Sequence, residues 1–159
     1  MWTELRKEIE RIRKVASIPE SSFKPVNIDQ WKSIEEKVFK SFCQIKQTND
    51  RPAWLWEVLK SETYSIQLDK WILDVYLYKL IDHQEKVWLM LNETVREKDK
   101  FRIYEGYLKD ITYVLAELVS MDEIYLVSKK YHWILCVNNH DYLIGGGEMA
   151  INMKRLIQE

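Results

Sequence analysis

The chain has 159 residues, 47% hydrophobic and 31% charged, the composition of one globular domain rather than a disordered or membrane-spanning polypeptide. Its 24 basic and 25 acidic side chains give a net charge of −1 with no long like-charged block, which argues against nucleic acid as a partner. "MWTELRKEIERIRK" lacks the apolar core of a signal peptide, and no apolar run nears the roughly 20 residues that cross a bilayer; a cytoplasmic protein is expected.

Trp2, Leu5, Ile9, Ile12 and Ala16 recur every three or four residues and predict an amphipathic helix over 2–16. "SIPESSFKPVN", with two prolines and three serines, reads as a loop. A second helix is expected over about 29–44, with Trp31, Ile34, Val38 and Phe42 on one face. After the cap and proline of "TNDRP" comes a short helix, "AWLWEVLK", apolar nearly all round. Such a helix is buried, or presents Trp54 or Trp56 to a partner, which in a homo-oligomer would be a second copy.

"TYSIQL" alternates and predicts a strand. Asp69 can cap a helix over "KWILDVYLYKLID", although the β-branched and aromatic residues there leave a strand over part of 71–82 open. "KVWLML" reads as a short buried strand and "FRIYEGY" as an alternating one. A helix over "LKDITYVLAELVS" follows, with Leu108, Ile111, Leu115 and Leu118 as its stripe. "EIYLVSK", "YHWILCV" and "YLI" make a three-stranded antiparallel meander. The last helix, "EMAINMKRLIQE", places Met149, Met153, Leu156 and Ile157 on one face, with Glu148 and Lys154–Arg155 suited to its dipole. Short connections between the C-terminal strands predict an α+β fold in a single domain, 1–159. Residues 1–60 would be mainly helical, and an antiparallel sheet of about five or six strands would carry the packed helices.

The stretch "NNHDYLIGGG", 138–147, holds three of the four glycines. If Asn138-Asn139 is a two-residue turn, Val137 faces His140, Leu135 faces Tyr142 and Trp133 faces Ile144. His132 and His140 then diverge, and a two-histidine metal site with Asp141 is ruled out. A longer loop over 138–141 would instead expose its polar groups at the tip. Gly145, Gly146 and Gly147 before a helix could bind an anion through backbone N–H groups, but Glu148 would repel a phosphate. The alternative is a strand that bends sharply where another backbone approaches.

Cys43 and Cys136 lie far apart with no CxxC, so buried, reduced cysteines are expected and neither a disulfide framework nor a zinc site. No GxSxG or HExxH motif is present. Asp110, Glu117, Asp122 and Glu123 are carboxylates whose convergence the sequence does not establish. Seven Trp and nine Tyr are numerous, filling the core or lying on a recognition surface.

"FRIYEGYLKDITYVLAEL" and "DEIYLVSKKYHWILCVNNHDYLIGGG" resemble a family of small uncharacterised bacterial cytoplasmic proteins over roughly residues 85–147. The matching positions are Tyr104, Glu105, Gly106, Glu117, Tyr131, Trp133, Asn139 and His140. The order of elements is also similar to the SUKH group, whose α+β domains often serve as immunity proteins against bacterial toxins. That similarity implies a non-enzymatic protein that binds another protein through a sheet face or cleft. The expected function is therefore a cytoplasmic protein-interaction module, perceived through Tyr104, Glu105, Glu117, Trp133, Asn138, Asn139, His140 and Asp141. The alternative is a small-ligand or anion-binding protein or enzyme with a pocket near His140 and Gly145–Gly147. No cofactor and no metal is expected; the partner is another protein, without nucleic acid or membrane, and the oligomeric state stays open.

Overall fold

The computed structural model describes residues 4–44, 59–60, 62–68, 73–92, 101–118, 123–138 and 140–158. Within them the chain order is α1 (Glu4–Val15), β1 (Phe23–Pro25), α2 (Ile28–Phe42), β2 (Thr63–Gln67), α3 (Leu73–Leu80) and β3 (Lys86–Asn92). It continues with β4 (Phe101–Tyr107), α4 (Leu108–Glu117), β5 (Ile124–Ser128), β6 (Trp133–Val137), β7 (Tyr142–Gly147) and α5 (Glu148–Gln158). The strands form one antiparallel sheet in the order β1-β4-β3-β5-β6-β7-β2. The fold is α+β, with the C-terminal meander β5-β6-β7 followed by the final helix, as the strand spacing predicts.

Alternation along each strand sends two sets of side chains to two faces, and both are apolar. Val87, Leu89, Leu91, Tyr104, Leu126, Leu135 and Leu143 lie in one core with Ile9 and Ile12 of α1, Leu77 of α3, Ile111 and Val114 of α4, and Met149 and Met153 of α5. Met90, Ile103, Tyr125, Val127, Ile134, Cys136 and Ile144 lie in the other, against Ile34, Val38, Phe39 and Phe42 of α2. Among the described residues, four helices therefore pack with the first face and one with the second.

Two expectations change and one open choice is decided. The sheet has seven strands, because Phe23–Pro25, inside the stretch read as a loop, pairs with Tyr104–Gly106. Phe23 is fully buried and stacks on Tyr104, while Pro25 is tolerated because β1 lies at the sheet edge. The ambiguous stretch 71–82 is helical over Leu73–Leu80. The β6–β7 register, third, is not that of a two-residue turn: Val137 faces Leu143, Cys136 faces Ile144 and Trp133 faces Gly147. Leu143 and Gly145, not His140 and Ile144, thus share the face of Trp133 and Leu135.

The buried Asn138 explains that register. Its Oδ1 accepts the N–H groups of His140 and Tyr142, both at 3.0 Å, and its own N–H donates to the Tyr142 carbonyl. The amide thus closes a loop longer than two residues, with Asp141 at φ +63°. Of the other expectations, Trp2, Trp54, Trp56, Asp69 and Asp122 lie outside the described residues. The last two residues of the predicted "AWLWEVLK" helix are described: Leu59 forms an antiparallel bridge with Cys43, and the Lys60 N–H donates to the Phe42 carbonyl.

The glycine run belongs to this architecture. β7 passes straight into α5, and the helix folds back so that Met149 and Met153 lie over Gly145. A Cβ on Gly145 would stand 2.5 Å from Met153 Sδ. Gly147 has φ +62°, and a Cβ there would stand 2.5 Å from the His132 carbonyl, which accepts the Glu148 N–H. The expected result for Gly145→Ala is a loss of about 1–3 kcal/mol from overpacking. In a urea-denaturation double-mutant cycle, Gly145→Ala with Met153→Ala should cost less than the sum of the two single changes. Strict additivity would contradict the proposed contact.

Candidate functional site

The side chains that differ most from a closed core stand at one end of the sheet, on the α2 side. Register puts Lys24 opposite Glu105 across β1 and β4, and Trp88 opposite Glu105 across β3 and β4. These three side chains form a row on one face, because directly opposed residues on antiparallel strands point the same way. The β5–β6 turn adds a fourth. Ser128 Oγ accepts the N–H groups of His132 at 2.7 Å and Trp133 at 3.2 Å, and the Ser128 carbonyl accepts the Tyr131 N–H, with Tyr131 at φ +58°. From this turn Lys129 reaches its ammonium to 3.2 Å from the centre of the Trp88 ring while pairing with Glu105 Oε2.

Glu105 therefore uses both oxygens, since Oε1 also pairs with Lys24 at 3.3 Å. Lys86 lies two residues from Trp88 on the same face; its ammonium is 5.4 Å from the Tyr107 ring centre and donates to the Ser21 carbonyl. On the α2 side, the Lys37 ammonium stands 5.8 Å from the Tyr131 ring centre. The result is a half-exposed surface of three aromatic rings and four ammonium groups, with one carboxylate at its middle.

The electrostatics follow from that packing. Burial alone would raise the Glu105 carboxyl, but the hydrogen bonds and charges of Lys129 and Lys24 outweigh it and hold the group below its ordinary value. Burial lowers Lys129 from the ordinary lysine value, Glu105 opposes this, and the charges of Lys86 and Lys24 add to the lowering. The side chains of Lys24 and Lys129 remain 49% and 31% exposed, against 16% for Glu105. Each ammonium has three N–H donors, so the outward ones can meet a further acceptor while Glu105 holds the inner ones.

Among the residues singled out from sequence, Glu105 and Tyr131 stand at this surface. Tyr104, the neighbour of Glu105, points to the opposite face and is 3% exposed, and Trp133 is 7% exposed. Neither can serve as an exposed contact, so that expectation is corrected: strand alternation directs both into the core with four helices. Asn138 is buried and closes its loop, whereas His140 and Asp141 are exposed; Asn139 lies outside the described residues. The 138–141 loop and the Lys129 turn sit at opposite ends of β6, five residues or roughly 17 Å apart. Glu117 is exposed in the last turn of α4. Gly145 and Gly146 are buried between β6 and β2, whereas Gly147 is exposed, with the His132 carbonyl and the Phe42 ring where a Cβ would stand.

The remaining chemistry is quiet. Cys43 and Cys136 are free and buried; burial pushes the Cys43 thiol up to about 12, and Cys136 is raised further by the same cause. Neither offers a thiolate near neutral pH. Glu123 is fully buried and accepts the Tyr125 hydroxyl at 2.9 Å. Burial raises the Asp110 carboxyl on α4. Among the described residues, no three His, Cys, Asp or Glu side chains stand as a metal-binding group, and no helix is long and apolar enough to cross a membrane.

Sheet order and surface together define an antiparallel α+β protein with a lysine- and aromatic-lined sheet end. The chain belongs to the family of unknown function DUF6756, which matches residues 1–157. No curated protein and no solved structure matches it.

The Glu105 pairing sets a pH dependence. A carboxyl lowered in the folded state contributes stability that is fully present above its unfolded value, near the ordinary 4.5, and is lost as pH falls through the folded value. The stability advantage of the wild type over Glu105→Gln should therefore hold from about pH 7 to about pH 5 and shrink below about pH 4. Denaturant midpoints of the two proteins across that range test this; a difference that grows on acidification would contradict it.

Proposed function

We propose that this protein is a non-enzymatic protein-interaction module whose contact surface is the sheet end formed by Lys24, Lys86, Trp88, Glu105, Lys129 and Tyr131. The observation that carries this reading is the Lys129 ammonium fixed over the Trp88 ring and paired to Glu105. A long, flexible side chain ordinarily loses rotamer freedom when a partner binds it. Here two neighbours already hold it at a half-exposed position. Aromatic rings beside pre-ordered polar groups are also the composition of interface hot spots.

The contact surface differs from the one expected around Trp133 and the 138–141 loop. Trp133 is buried, and the loop lies at the other end of the strand. A finer reading, an immunity protein that neutralises a bacterial toxin, rests on the SUKH-like order of elements and the cytoplasmic location expected from sequence. Under that reading the bound partner is a toxin domain.

Affinity capture from the lysate of the source cells tests the module, with Trp88→Ala, Lys129→Gln and His140→Ala variants beside the wild type. The expected result is one stoichiometric partner kept by the wild type and His140→Ala and lost by the other two. Retention by all four proteins would move the interface elsewhere. A wild type that keeps no partner would contradict the module itself.

A further inference from the structure

We infer that the partner surface met by this sheet end is a carboxylate-rich protein segment, whose acidic side chains take the outward N–H donors of Lys24, Lys86 and Lys129. The inference rests on reading the sheet end as a protein-contact surface, and it names the chemistry of the partner. Lys24 and Lys129 each pair with Glu105, and Lys86 stands near enough to lower the proton affinity of Lys129. Two ammonium groups thus hold one carboxylate, and a third, that of Lys86, stands beside them on the Ser21 carbonyl.

The chain as a whole carries a charge of −1, so this concentration of positive charge is local and not a reflection of composition. An approaching acidic segment meets attraction from these three ammonium groups at this end of the sheet. Glu105 acts here as a positioning residue. It orders the two ammonium groups, and the Trp88 ring carries the Lys129 stem and charge, so their outward donors face the partner in fixed places.

The same features disfavour a nucleic acid. Duplex-binding proteins commonly neutralise about six to ten phosphates, more than these three lysines supply.

The test titrates the full-length protein with an oligoglutamate peptide, an oligolysine peptide and a single-stranded oligonucleotide. Carbodiimide coupling of the bound glutamate peptide, followed by peptide mapping, locates the contact. The expected result is saturable binding of oligoglutamate, weakened about tenfold by Lys129→Gln combined with Lys24→Gln. Cross-links should concentrate at Lys24, Lys86 and Lys129, and His140→Ala should bind as the wild type does. Lys129→Gln removes the charge and keeps a polar side chain, so a loss of binding with unchanged thermal unfolding is a loss of charge and not of fold.

Cross-links spread evenly over the surface lysines would overturn the inference, as would equal affinity for oligolysine. Tighter binding of the oligonucleotide through the same lysines would overturn it in favour of nucleic acid. A partner captured through this surface but neutral or basic where it touches would leave the module standing and remove the acidic preference. Oligoglutamate bound at these lysines, with no partner captured from lysate, would do the reverse.

Discussion

A seven-stranded sheet that is apolar on both faces must be covered twice, and the helices described in this chain divide unequally over the task. Helices α1, α3, α4 and α5 share one core with the sheet, and α2 forms the other. Helix α2 begins beside β4, where the Val26 N–H donates to the Ile103 carbonyl, and ends near Gly147. It passes the sheet end where β1, β4 and β3 present Lys24, Glu105 and Trp88. Polar and amphipathic side chains replace aliphatic ones there, because a half-covered sheet face must meet water. Among the described residues, the lysine- and aromatic-lined sheet end follows from this uneven cover.

The fully covered core depends on close approach. Methionines 149 and 153 reach the sheet only because Gly145 has no side chain, and the chain turns from β7 into α5 at a left-handed Gly147 against the His132 carbonyl. That same carbonyl takes the Glu148 N–H, satisfying one of the donors a helix start leaves open. The turn before β6 is fixed at the same end of the sheet by Ser128 Oγ, and it launches Lys129 toward Trp88. Packing of the last helix and presentation of the lysine surface thus meet in one short stretch, residues 128–133 with 147–148.

Much of the fold was legible from periodicity. The stripes of α1, α2, α4 and α5, the apolar run "KVWLML", the alternation in "FRIYEGY" and the turn-separated strands of the C-terminal meander each report a local preference that tertiary packing reinforces. What periodicity could not convey was set by single contacts. Strand β1 has three residues and a proline, too short for any period, and exists because Phe23 fills a place against Tyr104 and Gly106. The β6–β7 register was decided by the Asn138 side chain, whose two accepted hydrogen bonds favour a longer loop than the Asn-Asn pair suggests. Of the surface, Glu105 and Tyr131 were anticipated through a resemblance of pattern. Lys24, Trp88 and Lys129 come from three other parts of the chain, and no spacing in the sequence announces strands that pair as β1-β4-β3-β5. The alternation Lys86, Trp88, Met90 was the one local hint, a strand face that runs from polar to buried.

The central claim is that the Lys24, Lys86 and Lys129 end of the sheet is occupied by a partner in the cell. Lysine acylation footprinting, performed on the purified protein and in intact cells and read by peptide mass spectrometry, addresses it directly. Lys79 on α3 and Lys154 on α5, exposed away from this surface, serve as internal references. The account predicts that Lys24, Lys86 and Lys129 react several-fold less in cells than in the purified protein while the references react alike. Equal reactivity of all five lysines in the two settings would contradict it.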